Sequence, residues 1–329
     1  MERKIAVLGS GSWATALVKI LCENTTPIGW WVHKEEISTH IKSEYRNPSY
    51  LSTVTFDLDR LNVSTELDHV LNYYEYIILA TPSIFLKDVL QRIHKSIVNK
   101  IWISAIKGIV PNTSKTVSEY LQETYTVPMQ NIGLISGPCH AEEVALERLS
   151  YLTISFQEEE KAQFLAECLT CSYIKASTST DVVGTEYAVV LKNIFAIAAG
   201  IAYGLGYGDN FQAVLMSNAI REMETFLNAF HPLERDIKNS TYLGDLLVTG
   251  YSPFSRNRTL GNMIGKGHSV SSALIEMKMV AEGYHAVKGI IALLATQSIQ
   301  MPITKAVYKI LHEQSPPKPI FNRLTVVLD

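Results

Sequence analysis

Lys4-Ile5-Ala6-Val7-Leu8-Gly9-Ser10-Gly11-Ser12-Trp13-Ala14-Thr15-Ala16-Leu17 decides how the first half of the chain folds. It opens as a short β-rich apolar run, carries two glycines at its centre, and from Ser12 to Asn24 repeats apolar residues at helical spacing. Strand, tight turn and helix in this register form the context of a dinucleotide-cradling turn. Gly9 permits the turn, Gly11 lets the backbone approach a pyrophosphate, and free N–H groups at the helix N-terminus meet its charge. Ala14 fills the third small position and still allows close helix–strand packing. The plainer reading, a glycine-rich turn without a ligand, has to explain why all three elements agree.

Working outward, short strand-like runs at Lys4–Leu8, Ile28–Val32, Tyr76–Ala80, Ile101–Ile106, Ile132–Ile135 and Tyr151–Phe156 alternate with helical patterns at Ser12–Asn24, Phe85–Ile97 and Asn112–Glu123. Parallel strands need crossover helices, so the alternation predicts a doubly wound, mostly parallel sheet over residues 1–178. From about Ser179 long helical patterns take over, at Asp181–Gly204, Gln212–Phe230, Val270–Gln297 and Ile303–His312, which predicts an all-α second domain over residues 179–329. Leu243–Asn262 is rich in Gly, Ser, Asn and Arg and reads as a site-bearing loop. Pro316-Pro317-Lys318-Pro319 reads as an extended turn.

The chain has 329 residues, a net charge of −3 and four cysteines. Its mean hydropathy is +0.09. That length suits two cores of roughly 150 residues each. No basic excess points to nucleic acid or an anionic membrane. Cys22, Cys139, Cys168 and Cys171 have no disulfide-framework spacing, which fits a cytoplasmic setting. Met1-Glu2-Arg3-Lys4 and the apolar run after it look like a leader, but Gly9, Gly11 and Lys19 interrupt that run, and it is read as the first strand and turn. Tyr187–Ala202 is shorter than the roughly 20 residues of a bilayer span and contains Lys192, so no membrane insertion is expected. Cys168 and Cys171 lack the further ligands of a zinc site, Cys139-His140 lacks an acyl-transfer setting, and the histidines show no metal spacing, so no metal is expected.

An NAD-specific turn places an acid about 20 residues on, against the ribose 2′-hydroxyl. Here the second strand ends in Trp31-Val32-His33-Lys34, which favours tolerance of a 2′-phosphate. NADPH, alone or beside NADH, is therefore the expected coenzyme, with Glu35 and Glu36 close enough to blur the distinction.

Lys192 is the one charged side chain in Tyr187–Ala202. It either reaches a cavity or is held by partners, and desolvation would ease its loss of a proton near neutral pH. Such a group suits proton exchange with a carbonyl under reduction; a structurally paired lysine is the commoner origin of the pattern. Lys107 emerges at the C-terminal edge of a strand, where open α/β sheets bind ligands, or is an ordinary strand-end lysine. Asp245 would fix Lys192, bind a substrate hydroxyl or cap a helix. Ser255-Arg256-Asn257-Arg258 offers donors for a phosphate, or a solvated loop.

Several segments together resemble the bacterial-type NAD(P)-dependent glycerol-3-phosphate dehydrogenase family. Besides the glycine turn they are Thr81-Pro82-Ser83, Ile106-Lys107-Gly108, Ser136-Gly137-Pro138-Cys139-His140-Ala141-Glu142-Glu143, Leu191-Lys192-Asn193, Leu243-Gly244-Asp245-Leu246, Ser255-Arg256-Asn257-Arg258 and Glu282-Gly283-Tyr284. The resemblance runs nearly end to end. It implies a Rossmann domain followed by a helical substrate domain with the active site between them, and reduction of dihydroxyacetone phosphate to sn-glycerol 3-phosphate for phospholipid synthesis by a homodimer. It also implies Lys192 as proton donor in reduction and base in oxidation. Substrate contacts would be Lys107, Gly137, Cys139, Lys192, Asp245, Ser255, Arg256 and Asn257. Gly9, Gly11, Ser12, Trp13, His33, Lys34, Lys107, Ala141, Arg256, Val280 and Glu282 would line the cofactor site. Departures are Cys139 for Ser or Thr, Ala14 for Gly, Gly250 for Cys or Ser, and Asn218 where relatives carry Arg. A related dehydrogenase of carboxylate or acyl-CoA substrates shares the turn and the Lys-Asn pair, and a catalytically idle dinucleotide sensor is the alternative outside enzymes.

Overall fold

The computed structural model describes residues 4–24, 27–277 and 279–329. The three residues ahead of Lys4 that the leader-like reading included lie outside the described residues. The chain divides into two units, one of Met1–Ile106 with Val117–Val182, the other of Lys107–Thr116 with Val183–Asp329.

In the first unit, apolar runs buried on both faces become strands and the amphipathic segments between them become covering helices. In chain order they are β1 (Ile5–Leu8), α1 (Ser12–Asn24), β2 (Ile28–Trp31), α2 (Glu35–Glu44), β3 (Leu61–Ser64), α3 (Leu67–Tyr73), β4 (Tyr76–Leu79), α4 (Leu86–Gln91), β5 (Ile101–Ser104), α5 (Val117–Tyr125), β6 (Ile132–Ser136), α6 (Ala141–Ala145), β7 (Ser150–Phe156), α7 (Glu159–Leu169) and β8 (Ile174–Ser179). The eight-stranded sheet has the order β3-β2-β1-β4-β5-β6-β7-β8. All pairs from β3 to β6 are parallel, β7 runs antiparallel to β6, and β8 runs parallel to β7. The first six strands thus carry the order of a dinucleotide-binding sheet. Every residue of β1, β2, β4 and β5 is buried. Three core tryptophans satisfy their indole N–H on backbone carbonyls: Trp30 on Gly9 at 2.7 Å, Trp31 on Thr65 at 2.9 Å and Trp102 on Ile97 at 3.0 Å.

The second unit is helical: α8 (Val182–Gly204), α9 (Asp209–Phe230), α10 (Asp245–Tyr251), α11 (Arg256–Gly265), α12 (Val270–Glu276), α13 (Glu282–Leu294), α14 (Pro302–His312) and α15 (Pro317–Val327). By length and composition α8 could cross a membrane, but 89% of its apolar window is buried inside the protein. Leu191, Ile194, Phe195, Ala198 and Ile201 of α8 join Leu215, Ala219 and Met223 of α9 in the core. Two glycine pairs let α8 and α11 cross with their backbones touching. A Cβ on Gly200 would strike the Arg258 carbonyl oxygen and one on Gly204 that of Asn262; reciprocally, Gly261 and Gly265 would strike the Ile197 and Ile201 carbonyls. Glu222 on α9 accepts from the Ile303 and Thr304 backbone N–H groups and from Thr304 Oγ1, satisfying the start of α14.

Several expectations change here. The boundary set at 178/179 falls after Val182, and Lys107–Thr116 leaves the sheet-bearing unit for the helical one, because Ile109 packs into the helical core. The helix expected from Asn112 begins at Val117, since Asn112 and Ser114 have positive φ in a turn closed by Val110 and Lys115. The helix expected over Phe85–Ile97 stops at Gln91. Leu243–Asn262 is not a loop; it holds α10 and the first part of α11. The helix expected over Val270–Gln297 breaks into α12 and α13, part of the break falling on a residue outside those described. Pro317 opens α15, its ring seated in the first turn where no N–H is needed.

Candidate active site

The glycine turn of the first unit is held from below. Gly9 has φ +139°, and a Cβ there would lie 2.6 Å from the Ala80 carbonyl oxygen, so only glycine fits. A Cβ on Gly11 meets nothing within 4 Å, so the backbone at that point borders open space, as close approach of a pyrophosphate requires. The first turn of α1 carries no acidic side chain to oppose an anion. Thr15 turns both its N–H and its hydroxyl to the Gly11 carbonyl, at 3.0 and 2.9 Å. Asn47, 1% exposed, clamps the turn: its Nδ2 donates to the Ser10 carbonyl at 3.0 Å and to Thr15 Oγ1 at 2.9 Å, while its Oδ1 receives the N–H groups of Ser49 and Tyr50. Sequence reasoning missed Asn47, because a polar residue far along the chain gives no periodic signal; only its burial reveals it.

His33 and Lys34 are exposed beyond the end of β2, Lys34 at the N-cap of α2. Burial first, then the charges of Lys34 and Arg92, push the His33 pKa below its ordinary value. The neighbouring Glu35 carboxylate is engaged by Thr65 Oγ1 at 2.8 Å. Gly137 follows β6 with φ +104° in a turn whose Cβ position would meet the Tyr151 carbonyl at 2.8 Å. Beyond it, Cys139 is 3% exposed and packs in the core, and Ala141 opens α6. The turn, His33, Lys34 and the Gly137 segment thus follow the C-terminal ends of parallel strands, the edge at which such sheets hold ligands.

In the helical unit Lys192 projects from mid-α8 and forms an ion pair with Asp245, the first residue of α10; the two side chains are 3% and 2% exposed. The pair was foreseen from the sequence only as one of three roles for Asp245. The second Asp245 oxygen, Oδ2, is buried with no hydrogen-bond partner among the described residues, an acceptor left over for a ligand hydroxyl. Asn193 Nδ2 donates to the Lys107 carbonyl at 2.6 Å, tying the Lys107 segment to α8. Thr249 Oγ1 donates to the Asp245 carbonyl at 2.7 Å.

Ser255 caps α11, its hydroxyl accepting the Arg258 N–H at 3.3 Å, so Arg256 and Asn257 are the first helical residues. Asn257 Oδ1 receives the Gly283 N–H at 2.9 Å, which links the starts of α11 and α13. Arg258 lies over the Tyr203 ring at 4.7 Å instead. Val280 lies just before α13, and Glu282 is its first residue. Asn218, the departure from Arg, donates to the Val214 and Asp329 carbonyls at 2.9 and 2.8 Å and so has a packing role.

A Rossmann-type unit with an open, cation-flanked glycine turn, followed by a helical unit with a buried lysine–carboxylate pair, defines a nicotinamide-dinucleotide-dependent oxidoreductase. The model of the NAD-dependent glycerol-3-phosphate dehydrogenase N-terminus matches residues 4–162, and that of the C-terminus of the same family matches residues 181–322. A glycerol-3-phosphate dehydrogenase [NAD(P)+] of Bacillus pumilus is 36% identical over 313 residues, covering 94% of this chain and 90% of the relative. The crystal structure of glycerol-3-phosphate dehydrogenase from Coxiella burnetii superposes with a TM-score of 0.90 at 27% identity, covering 98% of this chain and 99% of that one. The Saccharomyces cerevisiae enzyme shares the fold with a TM-score of 0.83 at 23% identity, over 98% and 99% of the two chains. The chain belongs to the NAD-dependent glycerol-3-phosphate dehydrogenase family.

Proposed function

We propose that this chain catalyses the reversible, NAD(P)H-dependent reduction of dihydroxyacetone phosphate to sn-glycerol 3-phosphate, with Lys192 as the group that moves the proton. The observation that carries this reading is the Lys192–Asp245 pair, buried, with one carboxylate oxygen still lacking a partner among the described residues. When bound, the reduced nicotinamide supplies the hydride to the carbonyl carbon. As charge develops on the carbonyl oxygen, Lys192 Nζ donates its proton there; in the reverse direction neutral Lys192 takes that proton back. The Asp245 carboxylate holds the Lys192 amine in place, both side chains being almost fully buried. Asp245 Oδ2 accepts from a substrate hydroxyl, and Lys107, steadied by Asn193, polarises the carbonyl.

The phosphate is the handle of a three-carbon substrate. The start of α11 suits it: Arg256 gives a guanidinium, Asn257 an amide whose oxygen is already committed to Gly283, and the helix presents its N-terminal end, the positive end of its dipole. Gly9, Gly11, Ser12 and Trp13 hold the coenzyme pyrophosphate, His33 and Lys34 its 2′-phosphate, with Lys107, Gly137, Cys139, Ala141, Ser255, Arg256, Val280 and Glu282 completing the contacts. Cys139 contributes through its backbone, since its thiol packs inward. The sheet-bearing unit is the dinucleotide domain and the helical unit, with its Lys107–Thr116 strip, the substrate domain of a cytoplasmic homodimer that feeds glycerophospholipid synthesis.

The test follows coenzyme absorbance at about 340 nm on adding dihydroxyacetone phosphate, with NADPH and NADH in parallel. Rapid oxidation is expected. Oxidation driven by an α-keto carboxylate and none by the phosphate ester would overturn the substrate assignment.

A further inference from the structure

Between the two glycines of the turn stands Ser10, whose role in the fold is fixed by the backbone alone. Its side chain is free to do something else, and it reaches His33: Ser10 Oγ lies 2.9 Å from His33 Nδ1. Its own peptide cannot drift. The Asn47 amide holds the Ser10 carbonyl, and the Trp30 indole holds the Gly9 carbonyl at 2.7 Å. Ser10 is 8% exposed, so bulk water competes weakly for its hydroxyl.

We propose that Ser10 is a specificity-determining positioning residue, its hydroxyl fixing the His33 imidazole as the Nε2–H tautomer so that a donor faces the phosphomonoester on the coenzyme's adenosine ribose. The proposal rests on the reading of His33 and Lys34 as the 2′-phosphate site. Counting donors and acceptors decides the tautomer. Among the described residues, His33 Nδ1 is the one hydrogen-bond partner of the Ser10 hydroxyl. If Ser10 donates to the Nδ1 lone pair, both groups are satisfied and the ring proton sits on Nε2. If Nδ1–H donated instead, the largely buried hydroxyl proton would have no acceptor.

Burial first, and then the charges facing His33, favour the neutral ring. Lys34 stands beside it and Arg92 approaches from the end of α4, both cationic, while Glu35 of α2 is engaged by Thr65. A neutral ring offers a single proton, so its position determines what the ring can bind. An Nε2–H matches a phosphate oxygen, which only accepts. A ribose hydroxyl both donates and accepts, and gains nothing from this choice. Ser10 thereby separates the two coenzymes without touching either.

The experiment uses the full chain with Ser10→Ala, and His33→Gln as reference. Nitrogen-15 spectra of the imidazole without coenzyme, assigned by the signal lost in His33→Gln, should show Nε2–H in the starting protein and a tautomer mixture in Ser10→Ala. The ratio of kcat/KM for NADPH over NADH should fall about tenfold in Ser10→Ala, the loss of one charge-assisted hydrogen bond. An unchanged tautomer, or an unchanged ratio where His33→Gln does lower it, overturns the proposal and leaves the coenzyme reading standing. A ratio that His33→Gln also leaves unchanged overturns the coenzyme reading itself, and the proposal with it. The spectra report on the ring whether or not Ser10→Ala turns over, so even an inactive variant tests the proposal.

Discussion

Replacing Gly200 by alanine should damage substrate binding from the far side of a helix. The added methyl would occupy the position of the Arg258 carbonyl oxygen, in the first turn of α11, with the Asn262 N–H only 2.8 Å away. Neither obstacle is a side chain that can swing aside, so α11 must move outward at the end that carries Arg256 and Asn257. Overpacking of this kind costs about 1–3 kcal/mol. At roughly 2–4 °C per kcal/mol for a unit of this size, Tm should drop by about 2–12 °C. Displacement of a binding group by about 1 Å is enough to cost on the order of 10²-fold. The KM for dihydroxyacetone phosphate should accordingly rise about 10–100-fold. Gly265→Ala is the matched comparison, because its methyl would strike the Ile201 carbonyl from the last residue of α11. It should lower Tm similarly and move KM much less. Calorimetry and steady-state kinetics on both variants decide the matter. Equal KM values in the two variants would refute the reasoning that the crossing sets the position of the α11 start.

Lys192→Ala should lower turnover by about 10²–10⁴-fold while coenzyme fluorescence titration still shows binding; an unchanged kcat would sink the mechanism. Asp245→Asn leaves a buried ammonium without its carboxylate and should cost about 3–5 kcal/mol in a denaturant melt, far more than an exposed pair would. Glu222 is a carboxyl that burial pushes up to about 7 from 4.5, against the hydrogen bonds from Ile303 and Thr304. The native state therefore holds the extra proton between those values, so stability should fall by about 3 kcal/mol as pH rises from 4.5 to 7. Denaturant melts across that range should show the decline, and Glu222→Gln should flatten it.

The parts of the fold that were legible share one property: a local sequence pattern, whether a continuous apolar run, helical spacing or paired glycines, marks them. The turn at Gly9–Gly11 and the buried strands β1, β2, β4 and β5 announce themselves by runs of apolar residues of the right length. The edge strands β3 and β8 do not. Leu61–Ser64 and Ile174–Ser179 each have a single buried residue, because one side of an edge faces solvent. The helices α10 and α11 were hidden for a related reason. Gly250, Gly261 and Gly265 lower helix propensity, yet close approach requires small residues there, to Met216 at Gly250 and to the α8 backbone at the other two. Lys192 was visible as a lone charge in an apolar helix. Its partner was visible only as a candidate, since an ion pair across 53 positions leaves no trace in spacing. Asn47 acts through hydrogen bonds to the turn and Ser10 through one from the turn to His33, and neither changes any local pattern.

The path of the chain past β5 has a consequence for modularity. Having completed that strand, the chain lends ten residues, Lys107–Thr116, to the helical unit before returning to the sheet at Val117. Each unit is therefore discontinuous. A gene cut after Val182 would yield a sheet fragment burdened with Ile109 and Val110, deprived of the helices that bury Ile109, and a helical fragment missing the strip that Asn193 holds. The two units cannot be swapped between relatives as cassettes by one crossover. Recombination that preserves both must exchange three junctions together.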